Sequence, residues 1–275
     1  MTKAEEKINF FFKYRLGFLP RILFPKAKIF FYPQPPHHRT IIFKVCKQLG
    51  IKIITKPNCD YDFAFFWDDR TYSDDANFPD IKTKNINRNC TDISKEKVDK
   101  VFAKVFGYDL SINPLIYKGK CVIKSNKNAQ HDGKVIDCPV DELGEGVVYQ
   151  KIIDNTFDEN YVVDIRIPVL GNEIPFVYYK FKTNEKRFTN DVSRAELHKT
   201  EDVLSEAETK NVITFSREMN LDYGELDVLR NKEDNKIYIV DVNKTPWGPP
   251  ATLPKEDCDI AIGKMRKVFE KSFLG

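Results

Sequence analysis

A predicted β-hairpin near the carboxyl end, YGELDVLRNKEDNKIYIVDVN, places acidic and amide side chains within an otherwise apolar pair of strands. Asp241 and Asn243 are two positions apart in the second strand, so they share one face of it. With the turn near Asp234, Asp227 of the first strand lies opposite Asp241. Because carboxylates among Ile, Val and Tyr are costly to bury without a partner, this face of the hairpin must meet either solvent or a ligand.

Two carboxylates and an amide oxygen are hard ligands of the kind that Mg²⁺ takes, with phosphates and water completing its shell. This predicts a metal site at Asp227, Asp241 and Asn243, which Mn²⁺ could also occupy. A solvated hairpin with incidental acids is the competing interpretation, and the hairpin alone leaves both open. The segment KTPWGPP that follows predicts that the chain leaves the sheet here. Its Trp247 either walls a substrate pocket or packs against the last helix.

The first third of the chain predicts a small α/β unit. KIFFYP, IKIIT and DFAFFWDD have the composition of strands, and HHRTIIFKVCKQLG has apolar residues at helical spacing. Strand–helix–strand order indicates parallel pairing in a Rossmann-like sheet. The motif G-x-G-x-x-G is missing, so we do not expect dinucleotide binding there. Residues 71–93 are polar and irregular, which predicts a linker.

The rest of the chain has an α+β pattern. SKEKVDKVFAKVFG predicts a helix, and KCVIKS, KVIDCP and GVVYQKIID predict three strands. Two further strands form a hairpin around Gly171 and Asn172, a favourable turn pair. Ser205 and Glu208 form a capping box that starts another helix. KEDCDIAIGKMRKVFEKSFL predicts a final amphipathic helix.

The net charge of +3 is uneven, because residues 1–50 hold ten Lys and Arg against two Glu. No nucleic-acid-binding module accompanies this excess, so we expect no nucleic-acid partner. Charges interrupt the apolar runs of INFFFKYRLGFLPRILFPKAKIFFYP, which leaves no transmembrane segment of ~20 residues. That segment packs on the core as a helix and first strand, or lies as an interfacial helix on anionic lipid. Six scattered cysteines without C-x-x-C spacing indicate reduced thiols and a cytoplasmic protein.

Several motifs follow one another in a fixed order. Lys124 ends a strand and precedes a polar loop that reaches Gly133 nine residues later. YQKII, DIRIPVLGNE, Lys180, KRFTN, Asp227 and DVNKTP come next. In this order they resemble the ATP-grasp superfamily, and most closely its ribosomal-protein glutamate ligase-like branch. The resemblance covers Thr91 to about Pro250.

The resemblance implies a fold and a set of site residues. The fold is an ATP-grasp domain of two α+β subdomains that enclose the nucleotide, residues 91–275, after a small Rossmann-like pre-ATP-grasp α/β domain, residues 1–90. The implied cofactors are ATP and Mg²⁺, and the implied metal ligands are Asp227, Asp241 and Asn243. The residues implied for nucleotide binding are Lys95, Lys124, Gln150, Lys151, Ile152 and Lys180. Those implied for catalysis are Arg166, Arg187 and Asn190.

The implied roles divide along the nucleotide. Lys124 and Lys95 would hold the α and β phosphates, and the strand from Gln150 would frame adenine. Arg187 and Asn190 would reach the γ-phosphate. Arg166 and Lys180 would also attract an anionic acceptor, and FKTNEKRF could close over the site as a lid.

The chain departs from the family pattern at a few positions. Asn128 and His131 stand where glycine is common in the phosphate loop, although Asn tolerates a positive φ. His131 either donates to the γ-phosphate or faces solvent. Lys151 replaces an acid, and Asp241 replaces the more common Glu. These departures bear on nucleotide choice and turnover more than on the fold.

The resemblance implies an ATP-dependent carboxylate–amine or carboxylate–thiol ligase that works through an acyl phosphate, and forms a C–N bond in the first case. The partners would be a small-molecule carboxylate and an amine or sugar-type acceptor. Two alternatives stay open: a small-molecule kinase that phosphorylates a sugar or polyol, and a nucleotide-binding module without turnover.

Overall fold

The computed structural model describes residues 25–56, 58–73, 84–130 and 132–275. The predictions for the N-terminal segment before residue 25 and for His131 fall outside the described residues. Three β-sheets make up the described fold, and two of them face each other across a cleft. No helix in the described ranges is long and apolar enough to cross a membrane.

The first sheet is parallel, and one helix crosses over between its first two strands. Its elements are β1 (Ala27–Pro33), α1 (Ile41–Leu49), β2 (Ile51–Ile54), β3 (Phe63–Trp67) and β4 (Lys84–Ile86). The strand order is β2-β1-β3-β4. The predicted strands, helix and parallel pairing are present. The core of this sheet continues into Leu170, Tyr223 and the last helix, so the division of the chain at residue 90 stays a prediction.

The prediction of a linker over residues 71–93 is wrong for its described second half. Lys84–Ile86 pairs with β3, and the buried Asn87 next to it bonds to the backbone of Asp222 and Tyr223. Asn87 has φ 59°, a conformation that Asn adopts more readily than most residues. This pairing is long-range, so local polarity in the sequence gave no sign of it.

The second sheet is antiparallel and has three strands. Its strands are β5 (Gly119–Ser125), β6 (Lys134–Cys138) and β7 (Val147–Lys151), in the order β6-β5-β7. Helix α2 (Lys95–Phe106) precedes it, starting at the N-cap Ser94 and ending at Gly107 with φ 77°. These elements match the predicted ones.

The third sheet is antiparallel and has five strands. They are β8 (Tyr161–Leu170), β9 (Val177–Thr183), β10 (Arg194–His198), β11 (Tyr223–Arg230) and β12 (Ile237–Asn243), in the order β10-β9-β8-β11-β12. A 3₁₀ turn (Asn184–Lys186) follows β9. The remaining helices are α3 (Thr200–Val203), α4 (Glu206–Glu218) and α5 (Lys255–Phe269), with a π-helical turn at Glu270–Leu274. The capping box of Ser205 and Glu208 is confirmed, whereas β10 was not predicted.

The two faces of the third sheet differ in polarity because side chains alternate along a strand. One face buries Ile165, Leu226 and Val242 in a core with residues of α2 and α4, such as Phe102 and Phe215. The opposite face carries acids, lysines and an arginine. This polar face forms the floor of the cleft.

Candidate active site

The hairpin of β11 and β12 brings two acids together at the cleft floor. Asp227 lies directly opposite Asp241, and Glu225 lies opposite Asn243. The register shifts after Asp227, so Val240 is an extra residue of β12. A side chain on Gly224 would approach the carbonyl oxygen of Asn243 to 2.7 Å, so glycine keeps the strands close here. The predicted opposition of the two aspartates is confirmed.

Charges of both signs surround these acids. The Arg166 Nε lies 2.6 Å from Asp227 Oδ1, and Arg166 Nη1 lies 3.3 Å from Glu225 Oε2. Burial alone would raise the pKa of Asp227, but Arg166 and nearby lysines hold it below its usual value. Burial, and then Asp227, raise the pKa of Asp241 even though Lys95 opposes them.

The donor set at this position fits a hard divalent cation. Within the described residues, no three His, Cys, Asp or Glu side chains converge as metal ligands. Asp227 and Asp241 offer two carboxylates, and Asn243 adds an amide whose Oδ1 accepts from Thr245 N at 2.9 Å. Mg²⁺ in proteins needs only one or two carboxylates besides phosphates and water. A cation here would also relieve the repulsion that raises the pKa of Asp241.

Two lysines reach the same part of the cleft from the second sheet and from α2. Lys124 Nζ donates to the carbonyl of Val240, the extra residue of β12, at 3.2 Å. Burial lowers the pKa of Lys124 to about 8, although Asp241 opposes the shift. Lys95 is buried at the start of α2, and its Nζ donates to the carbonyl of Lys127 at 2.7 Å. Lys95 therefore joins α2 to the polar loop that follows Lys124, and Lys124 joins the second sheet to β12 next to Asp241.

The loop after Lys124 is held against the start of α2 and the end of the first sheet. The backbone N–H groups of Lys95 and Glu96 donate to Asn126, at 3.2 Å and 2.9 Å. Asn128 N donates to Thr71 Oγ1 at 2.8 Å. The loop residue with positive φ is Ala129, at 58°, rather than Asn128, whose side chain instead accepts from Ala129 N.

Strand β7 forms one wall of the cleft. Gln150 is buried, and its Nε2 donates at 2.7 Å to Asp99 of α2, whose pKa burial raises to about 6. The side chain of Gln150 is therefore occupied by Asp99. Lys151 and Ile153 line the cleft, and Ile152 does not line it.

Arg187 lies at the end of this wall. Its Nη2 donates to the carbonyl of Ile153 at 3.1 Å and to Asn155 Oδ1 at 3.0 Å. Asn155 in turn donates to Asp164 Oδ1 at 3.0 Å. Asp164 Oδ2 lies 2.6 Å from Lys182 Nζ. Arg187 therefore connects the segment after β9 to the strand on which the nucleobase is expected.

Two cavities share the cleft, and the residues common to both are Ala129, Asn190, Asp227 and Asp241. The first, named the nucleotide cavity after the ligand that the sequence predicts for it, is lined by these candidate residues: Lys95, Lys124, Gln150, Lys151, Arg187, Asn190, Asp227 and Asp241. The second, named the acceptor cavity on the same basis, is lined by these: Arg166, Lys180, Asn190, Asp227, Asp241 and Asn243. Eleven of the twelve candidate residues thus line one cavity or both, and Ile152 lines neither.

Four buried polar residues of the cleft were not predicted to be site residues. Lys182, Asp164 and Asn155 line the nucleotide cavity, and Glu225 lines the acceptor cavity. Burial raises the pKa of Glu225 to about 7 although Arg166 opposes it. Strand alternation was the available signal, because Glu225 is two residues from Asp227 and Lys182 is two from Lys180.

The comparisons with known proteins identify the family and the fold. Residues 85–262, almost two thirds of the chain, match the model of the RimK-like ATP-grasp domain. No curated protein sequence matches the chain significantly.

Three solved structures illustrate the similarity of fold. The D-alanine–D-alanine ligase from Bacillus anthracis complexed with ATP is 15% identical with a TM-score of 0.54, over 90% of this chain and 97% of that chain. A RiPP-associated ATP-grasp ligase from Chryseobacterium gregarium, in complex with ADP and a leader and core peptide, is 14% identical with a TM-score of 0.54, over the same shares. The ATP-grasp ligase PsnB, with a phosphomimetic variant of its minimal precursor, Mg and ADP, is 10% identical with a TM-score of 0.56, over 87% and 98%. At these identities the similarity shows the fold alone.

Proposed function

The chain belongs to the RimK-like ATP-grasp family, and on that premise we propose that it is an ATP-dependent ligase that joins a carboxylate to an amine or a thiol. Like ATP-grasp ligases in general, it uses Mg·ATP. A cytoplasmic location, in which its six free thiols stay reduced, and the domain division at residue 90 belong to the same proposal.

One observation carries the proposal. Asp227 and Asp241 border both cavities, so the place where a metal and the terminal phosphates would lie is also the inner end of the acceptor cavity. Lys180 lines that acceptor cavity and supplies positive charge, and Arg166 lines it while it pairs with Asp227 and Glu225. A carboxylate held there would be next to the transferable phosphate, as phosphoryl transfer to a carboxylate requires.

The candidate side chains would bind the phosphates of ATP and the metal ion, and would compensate their charges. Lys95 and Lys124 would bind the phosphates, and Asp227, Asp241 and Asn243 would hold Mg²⁺. ATP supplies the phosphoryl group that activates the carboxylate for attack by the amine or thiol. The chain needs no nucleophile of its own, since positioning and electrostatic stabilisation account for most of phosphoryl-transfer catalysis.

The remaining candidates act at the ends of the cleft. Arg187 and Asn190 belong to the segment that follows β9 and line the nucleotide cavity, where they would close over the phosphates. Gln150, Lys151 and Ile152 belong to the wall that would frame adenine, with Gln150 held by Asp99.

ADP release in mixtures of ATP, Mg²⁺, carboxylates and amines tests the proposal. We expect ADP only when a carboxylate and an amine or thiol are both present, and none from the Asp227→Ala variant. ADP formed with a sugar or polyol alone would instead indicate a kinase. Tight ATP binding without ADP in any mixture would indicate a nucleotide-binding module.

A further inference from the structure

The acceptor cavity has a charged end and an aromatic end, and we propose that these two ends bind two different parts of one carboxylic acid. The carboxylate would pair with Lys180, and an aromatic or planar portion of the same acid would stack on Trp247. This inference rests on the proposed ligase function and names the class of acid that the ligase would activate.

Three cations line the cavity, and Lys180 is the one left for a ligand, since Lys186 pairs with Asp191 at 2.9 Å. Arg166 lies between Asp227 and Glu225, at 2.6 Å and 3.3 Å, so its charge is already compensated. In the described part of the chain, the Lys180 ammonium has no hydrogen-bond or ion-pair partner, whereas Lys182 two residues on pairs with Asp164. Arg166 is therefore a positioning residue that acts through Asp227.

Lys180 is also poorly solvated, which favours an anionic partner. Burial, and then Arg166, lower the pKa of Lys180. A carboxylate that enters the cavity would restore the balance of charge around this ammonium. The contact would place the acid on the cleft floor next to Asp227, on whose far side the phosphates are expected.

Trp247 forms the aromatic end. It is 59% exposed, and it is the large exposed apolar side chain that lines the acceptor cavity. Its ring stacks on His37 with the centroids 4.8 Å apart and the planes at 27°. Lys44 Nζ donates to the carbonyl of Gly248 at 3.1 Å, which ties this loop to α1. The indole is thus held on one side and open on the other, as aromatic binding residues often are.

Of the two sequence interpretations of Trp247, the geometry favours the pocket wall, because Trp247 lines the acceptor cavity. The cavity has a volume of about 820 Å³, within the range of small-molecule sites. It can hold an acid that reaches from Lys180 to the indole.

Two probe acids distinguish the contribution of the aromatic end from that of the charged end. N-benzoylglycine has an aromatic ring, and N-acetylglycine does not. Titration calorimetry of each acid into the full chain with Mg·ADP gives their two affinities. In the wild-type chain we expect N-benzoylglycine to bind about three- to tenfold tighter, the value of an aromatic stack. Trp247→Ala should bring this ratio close to one, and Trp247→Phe should keep most of it.

Lys180→Gln should weaken both acids by about tenfold or more and leave their ratio unchanged. Phe157→Ala is the matched control, since Phe157 is 53% exposed and lines neither cavity. Thermal unfolding of each variant shows that it is folded.

Three results would overturn the inference: an unchanged ratio in Trp247→Ala, unchanged affinities in Lys180→Gln, or no binding of either acid to the wild-type chain at millimolar concentrations. The titrations involve no turnover. If the chain binds the acids as expected but never releases ADP, the acid site stands and the ligase function is contradicted. If it releases ADP with a carboxylate and an amine or thiol but does not bind the acids as expected, the ligase function stands and the acid site is contradicted.

Discussion

Strand β11 carries two polar clusters that differ in how fully their groups are satisfied. At its start, Asn87 donates to the carbonyl of Tyr223 at 2.7 Å and accepts from the backbone N–H groups of Asp222 and Tyr223, both at 2.9 Å. In its middle, Glu225 and Asp227 share one arginine, and the pKa of Glu225 is raised to about 7 by burial.

This difference indicates that the first cluster stabilises the fold, whereas the second is arranged to bind a ligand. The Asn87 side chain pairs with three buried backbone groups of Asp222 and Tyr223 and joins the first sheet to the third, as buried polar groups in stable proteins do. The cleft floor keeps like charges close together, a cost that a bound cation and phosphates would remove. Clusters of strongly perturbed pKa values are typical of functional sites. Four measurements test this contrast.

The largest effect is expected at the metal site. Asp241→Ala should weaken Mg·ATP binding by about a hundredfold or more, since it removes one of two carboxylates facing the cation. The free energy of unfolding should hardly fall, because the pKa of Asp241 shows that its charge is disfavoured in the folded chain. Calorimetric titration of ATP with Mg²⁺ measures the first quantity, and urea unfolding the second.

Asp259→Ala is the control for that variant, because it removes an exposed acid from α5. Unchanged Mg·ATP affinity in Asp241→Ala would contradict the metal assignment.

The structural cluster should respond in the opposite way. Asn87→Ala leaves two backbone N–H groups and a carbonyl buried without partners, so it should lower the free energy of unfolding by about 2 kcal/mol or more. Its Mg·ATP affinity, measured below the unfolding transition, should change little. Asn89→Ala, a nearby amide, serves as the comparison. Wild-type stability in Asn87→Ala would remove the contrast between the clusters.

The pH dependence of nucleotide binding should reveal Lys124. The pKa of Lys124 is lowered to about 8 by burial, so above pH 8 the free protein loses the charge that binds phosphate. The affinity for Mg·ADP should fall by up to about tenfold per pH unit there. Lys124→Met should bind more weakly and lose this dependence.

The same lowered pKa implies that stability rises with pH from about 8 toward the ordinary pKa of lysine, because the unfolded chain then holds the extra proton. A flat affinity profile in the wild-type chain would contradict the placement of Lys124.

The smallest effect is expected for Glu225→Gln. The pKa of Glu225 is raised from 4.5 to about 7, so the stability it contributes is present below pH 4.5 and is lost as pH rises through 7. Glu225→Gln should remove this loss and raise the free energy of unfolding at pH 8 by about 1 kcal/mol. A clear destabilisation at pH 8 would show that the carboxylate is compensated by Arg166 after all.

Much of the third sheet could be predicted from local sequence. The turn near Asp234 set the register of the hairpin, and the opposition of Asp227 and Asp241 followed from it. The capping box of Ser205 also depends on residues three apart. Both signals depend on residues that are close together in the chain, so they can be recognised in a single sequence.

What could not be predicted depends on long-range pairing. Lys84–Ile86 becomes a strand only because β3 lies beside it, and Asn87 is buried only because Tyr223 meets it. Glu225 was visible in the sequence, but nothing local showed that Arg166 would lie beside it. The contact of Arg187 with Ile153 likewise joins segments 34 residues apart.

A crystal of the full chain grown with Mn²⁺ and a non-hydrolysable ATP analogue tests the central claim most directly. We predict an anomalous peak at the cleft floor, within about 2.0–2.3 Å of carboxylate oxygens of Asp227 and Asp241, with the phosphates on its other side. A peak elsewhere, or a nucleotide bound away from Lys124 and these two aspartates, would contradict it.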